Sequence, residues 1–289
     1  MGMSIGIDYI QNMWKVSQLE NGQVVELRSF VHVDEAVGYV TRVCAVYDEP
    51  VFALSSSREM ALSPLSTLVA NEDENDETDE LQQFLRGIRY LSTQAYHLPS
   101  VRYIKSIPRY RKYMRAVMGK SEMVGTVATL LYRMRQQDAN WPELRFLLLR
   151  LDATNRHILV VKNGQVVDGI VRDGLYEHRL PGEERLTGEE RKQALWEELS
   201  QDIAGLMATH HFEDIVLITG QDDGDEQGRR DEVVNRLGDM YQFYHFPHES
   251  AEPEGFEAAI GAALIAEGLY RPGLASEVVD HLQLSSTAR

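Results

Sequence analysis

Few stretches of this sequence combine residue types and spacing that suggest chemistry. At Gly119-Lys120-Ser121 a cation stands beside a serine suited to opening a helix whose apolar face is Met123, Val127, Leu130, Leu131 and Met134. A helix N-terminus presents unpaired N–H groups and the positive end of a dipole, so an anion is the partner Lys120 and Ser121 would take. The three residues do not end a phosphate-binding P-loop, because G-x-x-x-x-G-K-S needs glycine where Met114 stands. Just upstream, Val101 to Arg115 sets Arg102, Lys105, Arg109, Arg111, Lys112 and Arg115 among Tyr103, Tyr110 and Tyr113, the only strongly basic stretch. Cations interleaved with aromatics suit single-stranded nucleic acid. The favoured alternative is a segment whose charges answer carboxylates of the same chain or line a cleft for a small anion. Residues 71 to 80, NEDENDETDE, carry seven carboxylates and no cation, without the glycine and spacing of an EF-hand, so a solvated mobile loop is expected there. His210 and His211, near a helix end, diverge by about 100° on a helix and do not share a metal; a surface or capping role is expected of them, and the same caution holds for His245 and His248.

The elements that must position these groups follow a repeated grammar. Ser4 to Tyr9, containing Asp8, reads as a strand; Ile10 to Asn12 turn, Met13 to Glu20 return, and Asn21-Gly22 leads into Gln23 to Phe30. The run Phe146 to Leu151 ends at Asp152, Ala153 to Asn155 turn, His157 to Lys162 return, and Asn163-Gly164 leads into Gln165 to Val171. Asn21-Gly22-Gln23-Val24-Val25-Glu26 and Asn163-Gly164-Gln165-Val166-Val167-Asp168 share their pattern at an offset of 142 residues in a chain of 289, which indicates a duplicated domain. In each copy a helix and a further strand follow. Asp34 is the expected N-cap of a helix burying Val37, Val40 and Cys44, and Val51 to Ser55 is the next strand. In the second copy residues 182 to 188 link to a helix with Leu195, Leu199, Ile203 and Leu206 inward, and Asp214 to Thr219 is a strand ending at Gly220. Gly255 to Leu269 is a helix so rich in small residues that its backbone must approach a neighbouring helix or a ligand closely.

Composition narrows the classes. The length suits two domains, divided as residues 1–140, with the acidic loop, and 141–289. A formal net charge of -16 disfavours nucleic acid or an anionic membrane as a general partner. The single cysteine, Cys44, excludes an intramolecular disulfide and any multi-cysteine metal site. No apolar run reaches the ~20 residues needed to span a bilayer, and no charged leader with an apolar core precedes Ser4, so a cytoplasmic protein is expected.

Two copies of strand-strand-strand-helix-strand, each with an aspartate at the first hairpin, then a strand ending in glycine and a Gly/Ala-rich helix, resemble the actin-like ATPase superfamily: acetate and sugar kinases, heat-shock chaperone ATPases and actin. Within it, His97-Leu98-Pro99, Pro108, Arg111-Lys112 and Gly119 before a helix are similar to a branch of predicted butyrate kinases. The resemblance implies an α/β fold of two ribonuclease H-like halves around a central cleft. It also implies ATP and Mg²⁺, with Asp8 and Asp152 as catalytic and metal-holding residues and Thr154 and Asn155 by the phosphates. Gly220, Gly255 and Gly261 would line the adenosine. In an enzyme of this kind, a carboxylate kinase, Lys120 or Arg111 would hold a small anionic acceptor.

The chain departs from the pattern where phosphate would be gripped. A hairpin that cradles phosphate uses glycine so that successive N–H groups can turn toward the anion. Asp-x-Gly-Thr becomes Asp8-Tyr9-Ile10-Gln11, Asp152-Ala153-Thr154-Asn155 has no glycine, and Gln221 follows Gly220. Two functions therefore stand side by side: an ATP-dependent phosphotransferase, and a catalytically degenerate assembly or regulatory module, with a protein partner, that binds nucleotide weakly or not at all.

Overall fold

A computed structural model describes residues 2–70, 79–91, 94–152, 155–173, 187–212, 214–219, 226–249 and 252–284. In chain order the elements are β1 (Met3–Ile10), β2 (Met13–Glu20), β3 (Gln23–Phe30), α1 (Val33–Val46), β4 (Val51–Ser55), β5 (Ser63–Pro64), α2 (Leu65–Ala70), α3 (Glu80–Ile88), β6 (Gln94–His97), α4 (Arg109–Met114) and α5 (Ser121–Gln136). There follow β7 (Arg145–Leu151), β8 (Asn155–Lys162), β9 (Gln165–Asp173), α6 (Gly188–His210), β10 (Asp214–Thr219), α7 (Glu226–Leu237), β11 (Gln242–His245), α8 (Glu257–Tyr270) and α9 (Leu274–His281).

The two sheets have one plan. The first runs β3-β2-β1-β4-β6, with two-residue β5 added at the edge, and the second β9-β8-β7-β10-β11. Each starts with an antiparallel meander, after which β4 and β10 join the first strand of their sheet in parallel. This is the ribonuclease H-like order, present twice. Even the irregularities repeat: the ladder shifts between Gln18 and Leu19 in one copy and between Val160 and Val161 in the other, leaving Val25 and Val167 as the extra residues. Their numbers differ by the same 142 as the two Asn-Gly turns.

Strand alternation sends successive side chains to opposite faces. Met3, Ile5 and Ile7 face a core closed by α1 and α3, while Leu147, Leu149 and Leu151 face a core closed by α6 and α7. The opposite faces look toward each other across α5 and α8, in a central core that also holds Phe146, Leu148, Leu159 and Ala53. This explains why α5 is buried almost all round instead of on the one expected face. Helix α8, from the far end of the chain, lies on the first sheet: a Cβ on Gly6 of β1 would overlap the Ala259 carbonyl.

Some local readings shift. Helix α1 starts one residue before Asp34, with His32 at the cap, and turns Val33, Ala36, Tyr39, Val40 and Val43 inward, leaving Val37 and Cys44 at the margin of the core. Helix α6 is capped by Thr187, whose hydroxyl accepts from Glu190 N while the Glu190 carboxylate accepts from Thr187 N. Of the acidic run only Asp79 and Glu80 fall among the described residues; Asp79 caps α3 and pairs with Arg58, and Glu80 accepts from the Tyr9 hydroxyl. No helix among the described residues is long and apolar enough to cross a membrane.

Candidate functional site

The same alternation that builds the cores aims a few polar side chains into the junction between the sheets. On β1 the inward residues are Ser4, Gly6 and Asp8; on β7 they are Phe146, Leu148 and Arg150. Asp8 pairs across the ladder with Lys15, and Arg150 with His157, again 142 positions on. The structural counterpart of Asp8 is thus Arg150. Asp152 matches Ile10 instead, at the hairpin turn, where its amide donates to the Asn155 carbonyl at 2.9 Å.

Asp8 is buried and accepts a hydrogen bond from Ser55 at the carboxyl end of β4. Arg150, itself largely buried, donates from Nε to both oxygens of Asp152, at 3.0 and 3.3 Å. Helix α5 contributes Glu122 in its first turn, and Ser121 ties it to β4, donating to the Ser56 carbonyl at 2.7 Å and accepting from Ser56 N at 2.8 Å. Helix α8 contributes Glu257, which accepts from Gly255 N at 2.8 Å and lies 3.6 Å from His248 Nε2. Lys15 bridges from β2 to the Gly255 carbonyl at 2.7 Å. Strand ends of both sheets and the N-termini of two helices meet here, where open α/β sheets commonly place ligands.

Burial raises the pKa of Asp8 against the counteracting Ser55 hydroxyl and the charges of Arg150 and Lys15, with Glu257 adding to the rise. Burial, reinforced by Asp8, pushes the Glu122 carboxyl up to about 7, with Arg150 and Lys120 opposing. Burial alone would lower the pKa of Arg150, but Asp152, Glu122 and Glu257 together hold it above its ordinary value. From β7 the charge that acts on Asp8 is therefore that of Arg150, opposed by Glu257 of α8.

The expected site residues scatter over this frame. Asp8, Asp152 and Lys120 stand at the junction, Lys120 at the cap of α5 and within reach of Glu122. Asn155 opens β8 beside Asp152; Thr154 and Gly220 lie outside the described residues. Gly255 precedes α8 at the junction. Gly261 is deeper, at the crossing of α8 and α5, where a Cβ would overlap the Gly125 carbonyl oxygen. The small residues of α8 thus serve a helix contact.

Arg111 is engaged elsewhere. With Arg115 it pairs to Asp168, a fully buried carboxylate on β9 that also accepts from Gly169 N and lies 3.5 Å from His210 Nε2. Burial works to raise the Asp168 pKa, but His210, Arg115, Arg111 and the Gly169 amide overcome it and hold it below the usual value. His210 is buried against this carboxylate, unlike the surface role expected of it, and His211 is the left-handed cap of α6. Residues 101–119 form a strap across β9: Val101, Ile104, Ile107 and Met118 enter the central core, and Ser106 donates to Val166 O at 2.6 Å. Arg102 and Lys112 donate to the strap's own carbonyls, of Ala116 and Ile104. Four of the strap's six cations are thus engaged by the chain itself, while Lys105, Arg109, Tyr103, Tyr110 and Tyr113 are exposed.

Arg150, Glu122 and Glu257 were not singled out from sequence. Arg150 had a signal, a lone charge in the otherwise apolar Phe146 to Leu151 with the parity of Phe146 and Leu148. The two glutamates look like ordinary first-turn acids, and only tertiary packing brings them together. Beside Asp152 a cavity of about 160 Å³ is lined by Arg156, Lys192, Leu195, Trp196, Leu199, Arg229 and Glu232. A larger one, about 360 Å³, lies by α3, β6 and Tyr270, remote from the charged junction. The smaller adjoins the chemistry and is the more relevant.

A family described as "Protein of unknown function (DUF1464)" matches residues 33–182, just over half of the chain. The chain belongs to that family. The DUF1464 match spans Glu122, Arg150 and Asp152 and begins after Asp8. No curated protein matches the chain. Among solved structures it is similar to acetate kinase from Entamoeba histolytica, at 9% identity and TM-score 0.48 over 82% of this chain and 87% of that one. It is similar too to the ROK hexokinase from Thermus thermophilus, at 12% and 0.47 over 91% and 98%, and to component A of (R)-2-hydroxyglutaryl-CoA dehydratase from Acidaminococcus fermentans, at 11% and 0.47 over 96% and 100%. The strand order of this DUF1464 chain by itself shows the ribonuclease H-like arrangement twice.

Proposed function

We propose that this chain is a nucleotide-binding protein of the actin-like fold that has given up a phosphate-gripping hairpin and works as an assembly or regulatory module. One observation carries the choice. The β1–β2 hairpin closes in a two-residue turn, Gln11-Asn12, both left-handed, with strand pairing unbroken to Ile10 and Met13. The Asn21-Gly22 and Asn163-Gly164 turns share the left-handed geometry but carry glycine, whose amides donate to the Glu267 carboxylate and the Leu144 carbonyl; Gln11-Asn12 has no glycine to play that part. A nucleoside would enter the cavity beside Asp152, where Trp196 supplies a ring and Lys192 a cation. At about 160 Å³ this is below the usual ~300 Å³ of a small-molecule pocket, in keeping with weak binding.

Mg²⁺ on Asp8 and Asp152, which the resemblance implies, fits poorly. Arg150 already holds both oxygens of Asp152, and among the described residues no three His, Cys, Asp or Glu side chains group to hold a metal. The second reading, an ATP-dependent small-carboxylate kinase, is favoured by Lys120 at the α5 N-terminus, half-exposed and free to meet an anionic acceptor. Calorimetric titration with ATP tests the first reading, with a Kd of ~0.1 to 1 mM expected and weakening in Trp196→Ala. Acyl phosphate trapped by hydroxylamine, with ATP and a short carboxylate supplied, would establish the kinase instead.

A further inference from the structure

The duplication pairs each position of the first meander with one 142 residues later, and at the inward end of the first strands that pair is Asp8 and Arg150. Had the two positions kept the same sign, a junction this buried would hold facing like charges and would need a counterion. Instead the second copy carries a guanidinium. Its Nε is bonded to both oxygens of Asp152, and its charge acts on Asp8, Glu122 and Glu257. One cation is thus bonded to Asp152 at the end of β7 and feels the charges of carboxylates on three other elements, β1, α5 and α8. Lys15 and Lys120 lie nearby, partly buried as Arg150 is, but Lys15 is spent on the Gly255 carbonyl and Lys120 stands at the cap of α5. A divalent ion placed between Asp8 and Asp152 would have to displace or sit against a guanidinium that cannot deprotonate.

We infer that Arg150 is the resident cation of the junction and takes the place of a divalent metal, so that the site binds its anionic ligand free of Mg²⁺. The exclusion of metal rests on the Arg150 contact with both oxygens of Asp152 and on the ladder register that matches Arg150 to Asp8; the statement about the ligand rests on the nucleotide reading above. The guanidinium supplies positive charge without coordination chemistry: it can orient and neutralise a phosphate through N–H donors but cannot exchange ligands as a metal does.

Mn²⁺, read by water-proton relaxation and competed with Mg²⁺, tests the exclusion. The wild-type chain is expected to show no saturable site at millimolar metal. Arg150→Ala is expected to gain one site, displaced by Mg²⁺ and lost again when Asp8→Asn is added, with Mg²⁺ raising its Tm by about 2–4 °C. Because emptying a buried charge cluster can prevent folding, Arg150→Ala is also refolded with and without Mg²⁺. Folding only with the metal supports the inference, and failure under both conditions overturns it. It is overturned as well if the wild type binds one Mn²⁺ that Asp8→Asn abolishes, or if folded Arg150→Ala binds none. In a parallel arm ATP is titrated into the wild type in EDTA and in excess Mg²⁺, with binding about tenfold tighter expected in EDTA. The reverse preference overturns the inference. Absence of binding in both removes the nucleotide reading while the metal result still decides the role of Arg150.

Discussion

Glu26 and Asp168 hold the same place in the two meanders, each just past the extra residue of the third strand, yet their surroundings have little in common. Glu26 sits on a partly exposed edge, accepting from Tyr39, Gln18 and Arg28. Asp168 is sealed beneath the strap with Arg111, Arg115 and His210 around it. One duplicated position became surface decoration and the other an internal anchor. The determinant is what crosses the strand: residues 101–119 leave the first half and cover β9, so a carboxylate there lost its water and required cations.

The largest expected effect separates those two carboxylates. Asp168→Asn should lose about 3–5 kcal/mol in urea unfolding, because two guanidinium groups lose their buried partner. Glu26→Gln should lose under about 1 kcal/mol, since its ion pair is screened by solvent. Equal losses would mean that the strap does not hold the halves together.

Next is Glu122 against His97, two buried groups with opposite pH signatures. The Glu122 carboxyl holds its proton to about 7 in the fold, against 4.5 in the unfolded chain, so its contribution is full below 4.5 and is lost as pH rises through 7. Glu122→Gln should therefore overtake the wild type in stability across that window, by up to about 3 kcal/mol. His97, bonded to the Ser56 hydroxyl and to Leu98 O, is lowered to about 4 mainly by burial, from an ordinary 6.5. Its contribution is present above 6.5 and is lost as pH falls toward 4, and His97→Gln should flatten stability on that acidic side. Urea titrations at stepped pH read both slopes.

A smaller effect is expected from Gly261→Ala, roughly 1–3 kcal/mol of overpacking where α8 meets the Gly125 backbone. Gly205→Ala, on α6 with open space around it, should be neutral or slightly stabilising. Should Gly261→Ala be equally harmless, the crossing would be looser than its geometry indicates.

Much of this fold could be read from the sequence because duplication is local grammar: Asn-Gly turns, alternating strands and an offset need only neighbours along the chain. The site was harder. Asp8 is legible near the end of an apolar strand, and the strand-Asp-turn pattern pairs it with Asp152, whereas ladder register makes its counterpart Arg150. The meaning of Val101 to Arg115 was equally hidden, since Asp168, which neutralises Arg111 and Arg115, lies more than fifty residues away.

The return of α8 to the first sheet has a consequence for synthesis. While the ribosome is still making the second half, the inward face of β1 around Gly6 has no cover, because the helix that fills it begins at Glu257. The first sheet must wait until α8 has been made, and its exposed face and strap are open to chaperones or wrong partners in the interval. A premature stop before α8 would thus damage the first half as much as the second.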